Sequence, residues 1–129
     1  DYFSSWQHHL FDKIGVRRMM LETDPYGNFL LMGFDFAPAR DFARIAQLYL
    51  QDGVWNGERL LPKGWRDFTR TPAPAWPCKE YGGMWWLNRN HEYRVPEDAF
   101  SMPATGGPTT LGVPTPELGA VVMGHCTGP

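Results

Sequence analysis

Apolar positions at helical spacing mark three segments in the first half of the chain. Residues 2–14 form the first, and Gly15 follows it where a helix C-cap would lie. The second follows Pro38 and ends before Gly53, and a short third segment follows Pro62. Their apolar residues are Phe3, Trp6, Leu10 and Ile14, then Phe42, Ile45, Ala46 and Tyr49, then Trp65 and Phe68. No N-cap signal precedes the first segment, and this abrupt start indicates a chain cut into a longer fold.

The second half of the chain favours strands and turns. Asn56-Gly57 between short apolar ends predicts a hairpin over residues 54–61. Further strands are predicted at 81–87, 100–104, 109–113 and 118–123, with a tight turn at 114–117 joining the last two. Residues 17–36, 71–78 and 88–96 are rich in turn residues or polar residues and predict connections. Because helices precede strands, we expect one α+β domain over residues 1–129, a small antiparallel sheet with flanking helices.

Composition narrows the classes of function. The 129 residues are 43% hydrophobic with a net charge of −2, which argues against disorder and against a nucleic-acid partner. No apolar run is long enough to span a membrane. Cys78 and Cys126 are the only cysteines; they could form one disulfide, although two free buried thiols are favoured. The histidines form no metal-spaced cluster with them, so neither a metal nor a cofactor is predicted.

Four sequence pieces, in the right order, resemble the beta-lactamase-related serine hydrolases, the penicillin-recognising family. This family includes class C beta-lactamases, lactamase-fold esterases and 6-aminohexanoate-dimer hydrolases. The pieces are LFDKIGV at residues 10–16, APARDFAR at 37–44, LYLQDGVWNGERLL at 48–61 and YGGMWWLN at 81–88. The match extends from about residue 10 to residue 123. It implies part of a lactamase/transpeptidase-like fold, without the N-terminal regions that carry Ser-x-x-Lys and Tyr-x-Asn.

The catalytic motifs of that family are missing or altered here. A Ser-x-x-Lys supplies the nucleophile and the base that activates it. The serines are Ser4, Ser5 and Ser101, and none of them has a lysine three residues later. Ser5 and His8 are interpreted as an exposed helical pair. Residues 26–28 spell Tyr-x-Asn but follow the LFDKIGV element, so they are interpreted as a turn.

Only one motif of the family has a counterpart, at Thr105-Gly106-Gly107, which matches the Lys-Thr-Gly position by its spacing to Val113. Thr105 replaces the usual cation or imidazole, so the attraction for a substrate carboxylate is lost. Pro108 stands where the family takes a backbone N–H for the oxyanion hole, and proline has no such donor. A register shifted by one residue would place Gly107 there and restore the donor but not the cation. The simple alternative for this stretch is a glycine-rich bend into the sheet.

These observations lead to three hypotheses. The first is a truncated, catalytically inactive relative of these hydrolases. The second is a small aromatic-rich module that binds a small molecule or associates with itself, because the chain carries six tryptophans. The third is part of an ester, amide or lactam hydrolase that a missing N-terminal segment completes. Self-association is expected because a partial fold leaves an apolar face and unpaired strand edges.

Overall fold

The computed structural model describes residues 1–30, 33, 35–103, 109–115 and 117–124. Its first segment runs through α1 (Tyr2–Trp6), a π-helical stretch (Gln7–Phe11) and α2 (Asp12–Ile14). It ends at Gly15, which has a φ of 74°, so the predicted helix and its glycine C-cap are confirmed. The predicted absence of an N-cap is wrong, because the Asp1 side chain accepts a hydrogen bond from the Phe3 N–H.

The helix α3 (Ala39–Leu50) contributes to two hydrophobic cores, as its apolar stripe predicts. On one side Leu48 is buried in a core that contains Phe11, Ile14 and Val16. On the other side Tyr49 and Leu50 pack against Trp85, Leu87 and Phe100. The rings of Trp85 and Phe100 meet edge to face with centroids 4.7 Å apart, a favourable geometry for aromatic pairs. The helix therefore joins the N-terminal segment to the second half of the chain.

Asp41, in the first turn of α3, is buried although a charged residue of a short helix is expected at the surface. Its Oδ2 accepts hydrogen bonds from the backbone N–H groups of Arg17 (3.1 Å) and Arg18 (2.9 Å). Its Oδ1 accepts from the Arg44 guanidinium at 2.7 Å. Because both oxygens are satisfied, the carboxylate can be buried and fixes residues 17–18 against the helix.

Among the residues that the structure describes, two short ribbons precede the main sheet. In the first, β1 (Met20–Leu21) pairs with β2 (Asp35–Phe36), inside the stretch predicted to be irregular. Strands of two residues are too short to show alternation, which is why the sequence does not reveal them. In the second, β3 (Val54–Trp55) pairs with β4 (Glu58–Arg59). Asn56 and Gly57 have φ values of 48° and 81°, as a two-residue hairpin turn requires, so this predicted hairpin is confirmed.

The short helix α4 (Trp65–Thr69) follows Pro62 as predicted. The Trp65 Nε1–H donates a hydrogen bond to the Tyr49 hydroxyl at 3.2 Å, which holds α4 against α3. Phe68 is 68% exposed, so the apolar stripe of α4 is only partly covered.

The described strands of the second half form a four-stranded antiparallel sheet in the order β5-β6-β7-β8. The strands are β5 (Trp86–Leu87), β6 (Phe100–Pro103), β7 (Thr109–Val113) and β8 (Leu118–Val122). The predicted hairpin of the last two is confirmed. The predicted strand 81–87 is wrong in extent, because Tyr81 turns back and pairs with Trp86. The small antiparallel sheet with flanking helices fits the expected α+β class.

The sheet has one face toward α3 and one face away from it. Cross-strand partners share a face, so the row Leu87, Phe100, Gly112 and Gly119 lies on the inner face, beside Leu50 of α3. The neighbouring row, Trp86, Ser101, Leu111 and Ala120, lies on the outer face. Residues 93–96 are held at one end of the sheet by Asn88, whose amide donates to the carbonyl oxygens of Tyr93, Val95 and Pro96.

Candidate functional site

The altered motif Thr105-Gly106-Gly107, with Pro108, lies outside the described residues. The strands on either side of it are described: β6 ends at Pro103 and β7 begins at Thr109, and these two residues are paired. Because β5 is antiparallel to β6, the first residue of β5, Trp86, lies toward the same end of the sheet as Pro103. The candidate site is therefore this end of the sheet.

Three aromatic rings gather at this end; we refer to Trp76, Tyr81 and Trp86 as the aromatic cluster. The ring centroids of Trp76 and Trp86 are 5.9 Å apart with the planes nearly perpendicular. Tyr81 lies 5.7 Å from Trp76 and 5.1 Å from Trp86. At these separations the rings contact each other directly and leave no room for a ligand between them. Trp76 and Trp86 remain 41% and 36% exposed, so their outward surfaces are accessible.

The cluster forms because the chain folds back on itself between residues 73 and 86. The Ala73 N–H donates to the Tyr81 carbonyl at 2.8 Å, which brings the proline-rich stretch beside Tyr81. The turn that follows is pressed against the end of α4, where the Gly83 N–H donates to the Thr69 carbonyl at 2.7 Å. A Cβ on Gly82 would lie 2.2 Å from the same carbonyl oxygen, so only glycine fits there.

Polar groups beside the aromatic cluster bind one another. The Glu80 carboxylate accepts a hydrogen bond from Trp76 Nε1–H at 3.2 Å and one from the Asn90 amide at 2.5 Å. The Tyr81 hydroxyl donates to the Met84 sulfur at 3.7 Å. Sequence reasoning missed Glu80 and Asn90, although an acidic residue between two aromatic residues, in WPCKEY, is a signal that could have indicated Glu80.

Neither the Ser5–His8 pair nor Ser101 forms a nucleophile–base pair among the described residues. Ser5 and His8 are both exposed on the N-terminal segment, and no hydrogen bond between them is found in the described part of the chain. Ser101 is buried on β6 opposite Trp86. Within the described residues it makes no side-chain hydrogen bond to a base that could activate it.

Residues 26–28 form the predicted turn. The Asp24 carboxylate accepts hydrogen bonds from the Tyr26 N–H at 2.9 Å and the Asn28 N–H at 2.8 Å, and also from the Asn28 amide. These bonds, first of all the one from the Asn28 side chain, lower the pKa of Asp24. The Tyr26 side chain is 90% exposed, so the interpretation as a turn is confirmed.

Arg70 is a partly buried cation that sequence reasoning also missed. Its guanidinium lies 5.1 Å from the centre of the Phe100 ring and donates to the Asp98 carbonyl at 2.7 Å. Burial lowers the pKa of Arg70, since the charged form loses hydration. Phe100 is the first residue of β6, so Arg70 connects the end of α4 to the start of this strand.

Cys78 is exposed in the proline-rich loop, so the prediction that it is a buried thiol is wrong. This loop lies at the surface and is folded into turns, since the Trp76 N–H donates to the Ala73 carbonyl at 2.9 Å and the Lys79 N–H donates to the Trp76 carbonyl at 3.3 Å. Cys126 lies outside the described residues. Among the described residues, no group of three His, Cys, Asp or Glu side chains could hold a metal ion. No helix in the part of the chain that the structure covers has the length and apolar character to cross a bilayer.

Comparison with known proteins identifies the fold. No protein-family model matches the chain, and no curated protein matches it. Solved structures do match, and beta-lactamase-related proteins are among them. The described part of the chain therefore has the fold of part of a beta-lactamase-related hydrolase.

One of these structures is of a Bacillus anthracis protein described as a 6-aminohexanoate-dimer hydrolase, with a TM-score of 0.72 and 21% identity. Another is of a Bacteroides dorei DSM 17855 protein described as a beta-lactamase, with a TM-score of 0.73 and 14% identity. The match covers 91% and 95% of this chain but only 31% and 43% of theirs. This chain therefore spans less than half the length of either protein.

Proposed function

We propose that this chain is a scaffold of the beta-lactamase-related hydrolase fold that has no hydrolytic activity of its own. One observation carries the proposal: the fold is that of these hydrolases, yet none of the serines in the 129 residues has a lysine three residues later. Without a nucleophile and its base, a serine hydrolase loses about 10⁶ in kcat. Such a chain has the fold of these hydrolases without their activity, because a fold alone does not determine function.

The altered third motif supports the same proposal. Thr105 carries no charge with which to attract a substrate carboxylate, and Pro108 has no N–H to stabilise an oxyanion. Losing one oxyanion donor costs about 10²–10³ in rate. If the motif is shifted by one residue, the Gly107 N–H takes the place of the oxyanion donor, so that donor is kept. The positive charge is still missing in this register.

The test is hydrolysis of a chromogenic ester and a chromogenic cephalosporin by the purified chain. We expect rates equal to those of buffer and no labelling by a serine-directed fluorophosphonate. Variants Ser4→Ala, Ser5→Ala and Ser101→Ala serve as matched controls, and each should behave like the original chain. Turnover that the fluorophosphonate or one of these substitutions abolishes would contradict the proposal.

The alternative of a completed enzyme has a separate test. The genomic sequence upstream of the codon for Asp1 would contain an in-frame Ser-x-x-Lys if a preceding segment supplies the nucleophile. Expression of that longer chain should then give turnover that replacement of its serine removes. Absence of the motif upstream would exclude this form of the alternative.

A small-molecule binding role is favoured by one feature, the accessible surfaces of the aromatic cluster. Exposed indole rings beside a carboxylate and an amide are suited to stack on the apolar face of a sugar ring. A soluble oligosaccharide such as cellohexaose, titrated against tryptophan fluorescence, tests this role. Trp76→Ala should remove any response, and Trp6→Ala, a change of an exposed tryptophan on α1, should not. A response unchanged by Trp76→Ala would contradict it.

A further inference from the structure

The side-chain amide of Asn56 is held differently from those of the other asparagines of the chain. Asn28, Asn88 and Asn90 each donate at least one hydrogen bond from the amide nitrogen. Among the described residues, the Asn56 side chain has no hydrogen-bond partner. Asn56 is also the asparagine that a glycine follows directly. Its amide is therefore the one that folding leaves most free to react.

The backbone nitrogen of Gly57 is the nearest group with which this amide can react. A Cβ built on Gly57 would meet no atom within 4 Å, so no side chain shields the nitrogen. In the described part of the chain, the Gly57 N–H donates to no backbone carbonyl. The Cγ of Asn56 can therefore approach this nitrogen whenever the backbone between the two residues rotates.

The hairpin that contains this turn is short enough to allow the rotation. Asn56 and Gly57 have φ values of 48° and 81°, and they are held there by the pairing of β3 with β4. This pairing has two residue pairs, Val54 with Arg59 and Trp55 with Glu58. A two-stranded ribbon of this length is only marginally stable by itself and opens locally at small cost.

We propose that Asn56 is a site of spontaneous deamidation. The Gly57 nitrogen attacks Cγ of Asn56, the Cγ–Nδ2 bond breaks, and Nδ2 leaves as ammonia with the proton that the Gly57 nitrogen gives up. The product is a five-membered succinimide ring. Water then opens the ring: attack at Cγ gives aspartate, and attack at the main-chain carbonyl carbon gives isoaspartate. The proposal does not depend on whether the chain hydrolyses a substrate.

The two products should affect the hairpin differently. Asp-Gly is also a preferred sequence for a two-residue turn, so aspartate should preserve the hairpin. Isoaspartate leads the main chain through Cβ and Cγ, which lengthens the loop and prevents Trp55 and Glu58 from remaining paired. Trp55 packs against the core that contains Ile14, and Glu58 forms an ion pair with Lys13. Isoaspartate should therefore loosen the contact between the ribbon and the N-terminal segment.

The experiment is prolonged incubation of the full chain at mildly alkaline pH, followed by anion-exchange chromatography and peptide mapping by mass spectrometry. Deamidation makes the net charge one unit more negative than −2, so a more acidic peak should grow with time. Its altered residue should be Asn56. Glutamine would have to close a six-membered ring, so Asn56→Gln should slow the growth of this peak by about tenfold or more. Asn90→Gln is the matched control and should leave the rate unchanged.

The effect on the hairpin is measured on the separated isoaspartate form. Its Tm should lie about 4 °C or more below that of the Asn56→Asp variant, which carries the same charge on an unaltered backbone. Peptide mapping of the original chain locates the altered residue directly, so the test stays decisive if Asn56→Gln does not fold. An original chain without an acidic peak, or a peak that arises from another asparagine, would overturn the proposal. Equal Tm values for the two forms would refute the effect on the hairpin.

Discussion

Replacement of Asn88 by alanine should destabilise the fold strongly, although Asn88 is a polar residue and not a member of either hydrophobic cluster. Its side chain is buried, and its Nδ2 lies 3.0, 2.9 and 3.3 Å from the carbonyl oxygens of Tyr93, Val95 and Pro96. Its Oδ1 accepts a hydrogen bond from the Tyr93 N–H at 3.0 Å. Alanine leaves these backbone groups without partners beside the C-terminal end of β5.

The magnitude follows from the number of bonds. An amide nitrogen has two hydrogens, so the three carbonyl contacts amount to two donated bonds, and one accepted bond is added. At about 1 kcal/mol each, the free energy of unfolding should fall by about 3 kcal/mol. The entropy of unfolding is about 0.27 kcal/mol/K for a chain of 129 residues. We therefore expect a fall in Tm of about 11 °C.

Thermal unfolding followed by tryptophan fluorescence measures this change. Asn90→Ala is the matched control, because Asn90 is exposed and its amide makes a single hydrogen bond, to Glu80. It should lower Tm by no more than about 2 °C. The Asn88→Asp variant keeps the shape of the side chain but replaces the donor nitrogen by an acceptor oxygen, which then faces three carbonyl oxygens. At neutral pH it should therefore lower Tm at least as much as Asn88→Ala. Equal Tm values for Asn88→Ala and Asn90→Ala would refute the reasoning.

Three further predictions concern single positions. Gly112→Ala should lower the urea midpoint markedly, because its Cβ would lie 2.3 Å from the Phe100 ring; an unchanged midpoint would show that the ring can move aside. Asp41→Ala should cost about 3 kcal/mol in chemical unfolding, since two backbone N–H groups and Arg44 lose their acceptor; a loss below about 1 kcal/mol would contradict this role. Asp35→Asn should raise Tm at pH 7, because burial raises the pKa of Asp35 above its ordinary 3.8 and the ionised carboxylate therefore destabilises the folded chain. The gain in Tm should disappear as the pH falls below 3.8, because the Asp35 carboxyl is then protonated in both the folded and the unfolded chain. A gain in Tm that does not change with pH would contradict this explanation.

Local chemistry explains which elements could be predicted from the sequence. The hairpin over 54–59 depends on Asn56-Gly57, and both residues adopt the positive φ that the turn requires. The segment 81–87 is less predictable, because its strand is interrupted by a turn that packs against the end of α4. This contact joins positions more than ten residues apart, and no local pattern records it. Pro103 makes β6 a weak strand by its sequence, yet proline is tolerated there since it is the last residue of the strand.

The candidate site is less predictable than the fold. Thr105, Gly106 and Gly107 follow from the family resemblance alone, and they lie outside the described residues. The number of tryptophans indicates an aromatic surface but not its members. Trp85 and Trp86 are adjacent, and strand alternation places Trp85 in the core and Trp86 in the aromatic cluster. Which of the two faces outward depends on the position of α3, which the spacing of apolar residues does not supply.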